Sequence, residues 1–249
     1  MPWTLTDIWR HPVKSHGAER LDAVQMTAGQ ALPWDRVWAV AHEAAKLSDG
    51  WASCTNFSRG AKAPGLMAIR ARFDEATGRL HLSHPDLEDL DINPDTDGAA
   101  LVAWAGGLVP ENRSQSTHVV RVEGVPMTDV PYPWVAVLNQ ASNRALSQKM
   151  GLELDQRRWR GNLWLDGLAP WEEFDLVDQT IRIGDSVTLR VKEPITRCLA
   201  TTADPDTGKR NADTLGALEN GWGHQDFGVY AEVLEGGPLS TGDSAHLLR

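Results

Sequence analysis

The sequence predicts a mainly β chain, barrel-like, with a few peripheral helices and two β-barrel domains, residues 1–118 and 119–249. Three observations carry this. Short apolar segments with alternating pattern recur along the 249 residues, bounded by Gly, Pro, Asn and Asp. One stretch, from Leu138 onward, keeps a helical spacing instead. A Pro-rich polar segment, residues 110–133 (PENRSQSTHVVRVEGVPMTDVPYP), separates two runs of strands and reads as the domain boundary. Closed or nearly closed barrels are the usual way for chains of many short strands to remove sheet edges.

LTDIWRHPV reads as a strand that stops at Pro12. RLDAVQMT follows, then RVWAVAHE after the turn residues Gly29 and Pro33. LMAIRARFD alternates apolar and polar residues, and Ala76-Thr77-Gly78 makes the hairpin loop into RLHLSH. HPDLEDLDINPDTDG is acidic and rich in turn residues, which predicts a surface connection. Past the boundary, Leu138, Ala141, Ala145, Leu146 and Met150 keep helical spacing. Asn139 or Ser142 caps that helix and Gly151 ends it. GNLWLDG is a strand. TIRIGDSVTLRVKEPI is a hairpin with its turn at Gly184-Asp185. ITRCLATTA is strand-like up to the turn DPDTG, FGVYAEVLEGG is another strand, and LSTGDSAHLLR completes the series. GDS precedes a strand twice, at 184–186 and 242–244, which a shared turn type explains.

Hydrophobic residues make up 41% and charged residues 23%, with a formal net charge of −10. That balance excludes a general nucleic-acid or anionic-membrane binder but leaves room for a local basic pocket. Two cysteines do not make a disulfide framework. No apolar run has the length of a signal-peptide core near the start or of a membrane span anywhere. The expectation is a cytoplasmic protein. Eleven tryptophans against two tyrosines and four phenylalanines are expected to fill core and rim positions.

Cys198 is the residue with the most chemical promise. As a free cysteine it is by default a small buried hydrophobe. Arg197 beside it is the kind of neighbour that favours thiolate, and the polar turn that follows places it to face a pocket. A thiolate serves as nucleophile or soft-metal ligand. No Cys or His pair has zinc-ligand spacing, and His224 is only the nearest downstream histidine. A Cys–His nucleophile stays open. So does a metal held by one cysteine and an organic cofactor, most of which carry phosphate. Lys14 and Ser15 in RHPVKS, Arg36 in PWDR, and Arg158, Arg160 and Asn162 in RRWRGN are candidate anion binders. Each alone reads as a solvated surface group, and the sequence does not bring them together.

PITRCLATTADPDTG, residues 194–208, strongly resembles the metal-site segment of the MOSC family, named for the C-terminal domain of molybdenum cofactor sulfurase. The branch it is most similar to contains the mitochondrial amidoxime-reducing component and its bacterial two-domain relatives. IWRHPVKS and ALPWDRVWAV resemble the N-terminal β-barrel domain of the family. RWRGNLWLDG, PWEEF, IRIGDSVTLRV and FGVYAEVLEGGPLSTGDSAHLL resemble the MOSC domain. The resemblance implies Mo-molybdopterin as cofactor, with Cys198 as catalytic residue and molybdenum ligand. It implies that Thr196 and Arg197 contact the pterin and that Lys14, Ser15 and Arg36 hold the phosphate end. It makes Arg160 and Asn162 a second binding pair and Tyr230 a late contact. The implied activity is two-electron reduction of N-hydroxylated or related N-oxygenated small molecules.

Departures from the family pattern are local. Ala31-Leu32 stands where Gly-Leu is usual, CTNFSRGAKAPGL matches a Thr-x-Arg stretch only loosely, and Gly161 replaces a Pro between Arg160 and Asn162. Arg59 receives no cofactor role, and Cys54 reads as structural or incidental. Without a cysteine cluster after TGDSAHLLR, electrons are expected from a separate protein of iron–sulfur, haem or flavin type. The alternative is a carrier of the cofactor, or of sulfur through a persulfide on Cys198. A family fold that has lost the cofactor is a third reading, and the intact set of residues argues against it.

Overall fold

Residues 2–248 are described, in a computed structural model of the chain, and strands dominate them. The N-terminal part contributes β1 (Trp3–Arg10), β2 (Glu19–Leu21), β3 (Ala23–Met26), β4 (Ala39–His42), β5 (Arg70–Asp74), β6 (Arg79–His84) and β7 (Leu87–Ile92). Helix α1 (Gly98–Gly106) and β8 (Ser116–Val120) follow. The rest contributes β9 (Val135–Asn139), α2 (Gln140–Met150), β10 (Leu163–Asp166), β11 (Thr180–Ile183), β12 (Val187–Thr196) and α3 (Thr214–Trp222). Strands β13 (Asp226–Glu235), β14 (Gly237–Ser240) and β15 (Ser244–Leu247) complete the order.

Seven strands close into a barrel in the order β10-β9-β13-β12-β11-β15-β1, with β1 pairing back to β10. Closure leaves no free edge among those seven. The barrel core follows from alternation: Leu5, Val137, Leu165, Ile181, Leu189 and Val229 point inward and are fully or almost fully buried. All pairs around the barrel are antiparallel except β9–β10. A parallel pair needs a crossover, and α2 supplies it. Asn139 Oδ1 accepts the Ala141 amide at 2.9 Å, and Gly151 at φ 62 ends the helix in the left-handed region. These are the cap and stop that the sequence predicts. The hairpin β11–β12 also forms, with Ile183 opposite Val187 across a three-residue loop, 184–186, one residue longer than the Gly184-Asp185 turn expected.

Strand β1 enters the barrel although the other six staves come from residues 135–247. Grouping by sheet therefore differs from grouping at residue 118. The remaining N-terminal elements are the β4–β8 pair and the β5-β6-β7 sheet. They enclose a second core with Val13, Trp38, Leu66, Phe73, Leu80 and Leu101. Strand β3 pairs with β14 and ties the two halves together. Of the eleven tryptophans, Trp38, Trp159 and Trp164 are fully buried and the others half-buried, as core and rim positions require.

The structure corrects the sequence reading at several places. Residues 87–92 form β7 on the edge of a sheet rather than a surface connection. Helix α1 has too uniform a composition for a period to show. Helix α3 carries Gly216 and Gly221 inside it, which lowers its propensity and hides it.

The glycine that departs from the family pattern has a packing reason. A Cβ on Gly161 would lie 1.9 Å from Leu138 Cδ1, and Gly228, at φ 74, approaches Leu138 from another side. Leu138 is fully buried. Gly161→Ala is therefore expected to cost about 1–3 kcal/mol through overpacking. Urea denaturation checks this, and Leu138→Ala in the same chain should recover part of the loss.

Candidate functional site

After β1 the chain folds into a tight turn, HPVKSHG. The His16 amide donates to Val13 O at 3.1 Å and the Lys14 amide to Trp38 O at 2.7 Å. Ser15 sits at φ 63 and Gly17 at φ 88. A side chain at Gly17 would come within 2.7 Å of Ala71 Cβ, so this corner needs glycine. The turn buries Lys14, whose Nζ donates to Met127 O at 2.8 Å and to Asp129 Oδ1 at 2.5 Å.

Arg36 arrives beside it from the turn at residues 32–36, held by its amide on His11 O at 2.7 Å. Its guanidinium pairs with Asp35 and donates to Arg160 O at 2.6 Å. Arg160 closes a helical turn (Gln156–Trp159) and donates to Gly17 O at 3.0 Å and Val13 O at 3.3 Å. Ser15, Arg36 and Arg160 are three of the six described non-glycine residues with positive φ. Such backbone costs energy and is held by surrounding structure, and it clusters at functional sites.

The opposite wall comes from the barrel. The β12–β13 ladder is irregular around Pro194, which has no N–H to donate. β12 ends at Thr196, so Cys198 lies beyond the strand, at the head of a helical turn (Leu199–Thr202). Cys198 is exposed. Thr196 Oγ1 donates to Asp226 Oδ1 at 2.6 Å. Arg197 is pinned inward: it donates to Trp159 O at 2.8 Å and to Phe227 O, with its guanidinium 5.7 Å from the Trp159 ring centroid. Buried Arg158 donates to Ala203 O at 2.8 Å and Asn211 Oδ1 at 2.7 Å, anchoring the segment after Cys198. Asn162 ties strands together, accepting the Ala136 amide at 3.1 Å and donating to Trp9 O at 3.2 Å.

These walls enclose a cavity of about 240 Å³. Every residue singled out from the sequence lines it: Lys14, Ser15, Arg36, Arg160, Asn162, Thr196, Arg197, Cys198 and Tyr230. So do Arg158 and four residues for which the sequence reading had no site role: Cys54, Arg59, Asp129 and Trp134. Arg59 Nη1 lies 2.9 Å from Cys54 Sγ. Asp129 falls in the Pro-rich stretch read as a boundary, and no local signal marks it.

Six of the lining side chains are cationic and one, Asp129, is acidic, in a chain of net charge −10. Burial and the neighbouring Arg36 lower the Arg160 guanidinium to about 9. Burial also lowers Arg197 to about 10. Neither has a carboxylate within ion-pair distance among the described residues. Desolvation at the cavity mouth would raise the Asp129 carboxyl, though its side chain is 61% exposed; Lys14, Arg36 and Arg160 outweigh it and lower the group to about 2. Burial and the Asp129 charge raise the Tyr230 phenol to about 12. Chemically, this is a pocket set to receive an anion beside an accessible thiol. Among the described residues no three His, Cys, Asp or Glu side chains are grouped to hold a metal by themselves. No described helix is long and apolar enough to cross a membrane.

Family models match both parts of the chain: the MOSC domain over residues 132–246 and the MOSC N-terminal beta barrel domain over residues 3–105. The chain belongs to the MOSC family in its two-domain form. It is similar to the protein named "Molybdenum cofactor sulfurase" of Anopheles gambiae, with 28% identity over 281 residues, 92% of this chain and 34% of that one. The protein of the same name from Drosophila grimshawi is 31% identical over 119 residues, 45% of this chain and 15% of that one. The chain thus spans a third or less of these relatives' length. Among solved structures, the YUAD protein from Bacillus subtilis aligns with a TM-score of 0.48 at 11% identity, over 100% of this chain and 98% of that one. YiiM from Geobacillus stearothermophilus aligns with a TM-score of 0.35 at 18% identity, over 46% of this chain and 54% of that one.

Proposed function

We propose that the protein binds the molybdenum cofactor and reduces N-hydroxylated or related N-oxygenated small molecules. Its electrons would come from a donor protein of iron–sulfur, haem or flavin type. The observation that carries the reading is the cavity itself: six cationic side chains against one carboxylate, around the exposed thiol of Cys198. A pterin that carries phosphate fits the cations, and a soft metal fits the thiol. In this reading Lys14, Ser15 and Arg36 hold the phosphate end, Arg160, Asn162, Thr196, Arg197 and Tyr230 flank the pterin, and Cys198 ligates molybdenum. When bound, the metal centre supplies two-electron exchange. The protein's own part is to bind, orient and exclude water. Arg197 fixes the approach to Cys198 through its bonds to Trp159 O and Phe227 O. Tyr230, raised to about 12, keeps its phenolic proton at neutral pH and so lines the cavity as a hydrogen-bond donor. Two free cysteines suit a reducing, cytoplasmic setting.

The name of the insect relatives and the exposure of Cys198 favour a second reading, a sulfur carrier with a persulfide on that residue. One experiment separates them. The protein is produced in a host that makes the cofactor, and molybdenum, pterin and reduction of an N-hydroxylated amidine by a chemical donor are measured. Near-stoichiometric metal with turnover supports the reductase. A Cys198 persulfide without turnover supports the carrier, and absence of molybdenum and pterin from protein made in that host counts against cofactor binding. Lys14→Ala combined with Arg36→Ala is expected to weaken cofactor retention roughly a hundredfold, the loss of two charge-assisted contacts. Pterin fluorescence after gel filtration reads that loss.

A further inference from the structure

A second pocket, of about 320 Å³, lies beside the main cavity, and Arg59 lines both. Its walls include Lys62, Arg113, His42, Ser58 and Ser114, and no carboxylate is among its lining residues. Local geometry assembles this group. Arg59 O accepts the amides of Lys62 and Ala63, both at 2.9 Å, a turn that returns Lys62 toward Arg59. Arg113 comes from the turn that follows α1, closed by its amide on Pro110 O at 2.9 Å. Gln115 Nε2 secures that turn, donating to Pro110 O at 3.0 Å and Arg113 O at 2.7 Å.

Arg59, Lys62 and Arg113 make no ion pair among the described residues, whereas surface arginines elsewhere, such as Arg70, Arg79 and Arg144, do. The Nδ1 of His42 is buried without a partner. Gly60, next to Arg59, packs against Ala200, two residues after Cys198: an added Cβ would lie 3.4 Å from Ala200 Cβ. Arg210 bridges the same two segments, donating to Ala61 O at 2.9 Å and to Leu199 O. Three cations without a carboxylate partner, around one concavity in an acidic chain, repel one another and attract an oxyanion.

We propose that this second pocket is an oxyanion subsite, which holds a carboxylate or phosphate carried by the substrate while its reacting end reaches Cys198. The link to the reacting end rests on the reductase reading; anion binding stands on the pocket alone. Lys62 and Arg113 are exposed, so Lys62→Ala with Arg113→Ala leaves the core untouched.

The test titrates the full chain with inorganic phosphate, followed by calorimetry. In the Lys62→Ala, Arg113→Ala variant the phosphate Kd is expected to rise about tenfold, with molybdenum content unchanged. In the Lys14→Ala, Arg36→Ala variant a phosphate site dependent on Lys62 and Arg113 is expected to remain. Equal phosphate affinity in the wild type and the Lys62→Ala, Arg113→Ala variant overturns the proposal. A second arm compares N-hydroxylated probes of equal size, one neutral, one with a carboxylate and one with a phosphate ester. The anionic probes should have the lower KM, and only they should lose it in the Lys62→Ala, Arg113→Ala variant. Phosphate binding without any reductase turnover would keep the subsite and discard its link to that reaction.

Discussion

In the proposed reading, the Cys198→Ala variant is expected to lose bound molybdenum and keep its fold. The Cys198 side chain is exposed and takes part in none of the described hydrogen bonds. What the residue does for the structure it does through its carbonyl, which accepts the Thr201 amide at 3.2 Å and Thr201 Oγ1 at 3.1 Å. Alanine keeps that carbonyl. Substitutions at exposed positions away from packing usually stay within about 0.5 kcal/mol, so the melting temperature should hardly move. The thiolate has no substitute nearby by position alone: Cys54, the other cysteine lining the cavity, is drawn to Arg59 at 2.9 Å. Metal content should therefore fall to background while part of the pterin stays on the cationic walls. Cys198→Ser should behave the same way, because an alcohol oxygen is a poor ligand where a soft thiolate is required. Stoichiometric molybdenum in a normally melting Cys198→Ala protein would remove Cys198 as the ligand.

The parts of the fold that were legible are those whose signal is local. Ile181, Ile183, Val187 and Leu189 alternate across Gly184-Asp185, and a hairpin needs nothing more. The α2 helix announced its own cap, Asn139, and its own stop, Gly151. Barrel closure was not legible in detail, because the pairing of Leu5 with Leu165 joins residues far apart in the chain. The site divides the same way. Its residues were nameable one by one, since family resemblance attaches to short motifs such as RHPVKS and RWRGN. Their assembly was not, because it depends on Arg160 reaching Gly17 O and on Arg36 reaching Arg160 O. Asp129 escaped altogether: its role is to neutralise Lys14 from a loop more than a hundred residues away, and a single Asp between Pro-rich segments carries no pattern. The left-handed backbone at Ser15, Arg36 and Arg160 was equally silent, since these residue types do not advertise positive φ.

Acidification below about pH 6.5 is expected to destabilise the protein from the Lys14–Ser15 turn outward. His11 and His16 flank that turn and are fully buried. His11 Nε2 donates to Gly161 O at 3.2 Å, and His16 Nδ1 donates to Lys14 O at 2.8 Å. The other ring nitrogen of each is buried without a partner. Protonation would make each an N–H donor with no acceptor. Burial is the largest cause that lowers both groups, His16 from 6.5 to about 4 and His11 well below its usual value, with Arg160 near both. Between those values the unfolded chain binds protons that the folded chain refuses, so stability falls as pH drops from 6.5 toward 4 and is complete above 6.5. The His16 shift alone amounts to about 3 kcal/mol at full effect, and His11 acts in the same direction. Against a typical stability of about 5–15 kcal/mol, that is a large share. Asp129, held at about 2 from a usual 3.8, loses its contribution only at lower pH, as it falls through 3.8 toward 2. Between 6.5 and 4 the loss thus comes from the histidines, while the Glu173 carboxyl, raised by burial, acts in the opposite direction. Urea melts at pH 7.5 and 4.5 check this against His16→Asn, whose side-chain amide can still donate to Lys14 O but does not titrate. The variant should lose markedly less stability between the two pH values than the wild type. Equal losses would show that His16 does not carry the acid sensitivity. Because Arg160 fastens this turn at Val13 O and Gly17 O, its loosening should also release whatever anion the cationic wall holds, with a midpoint in the same window.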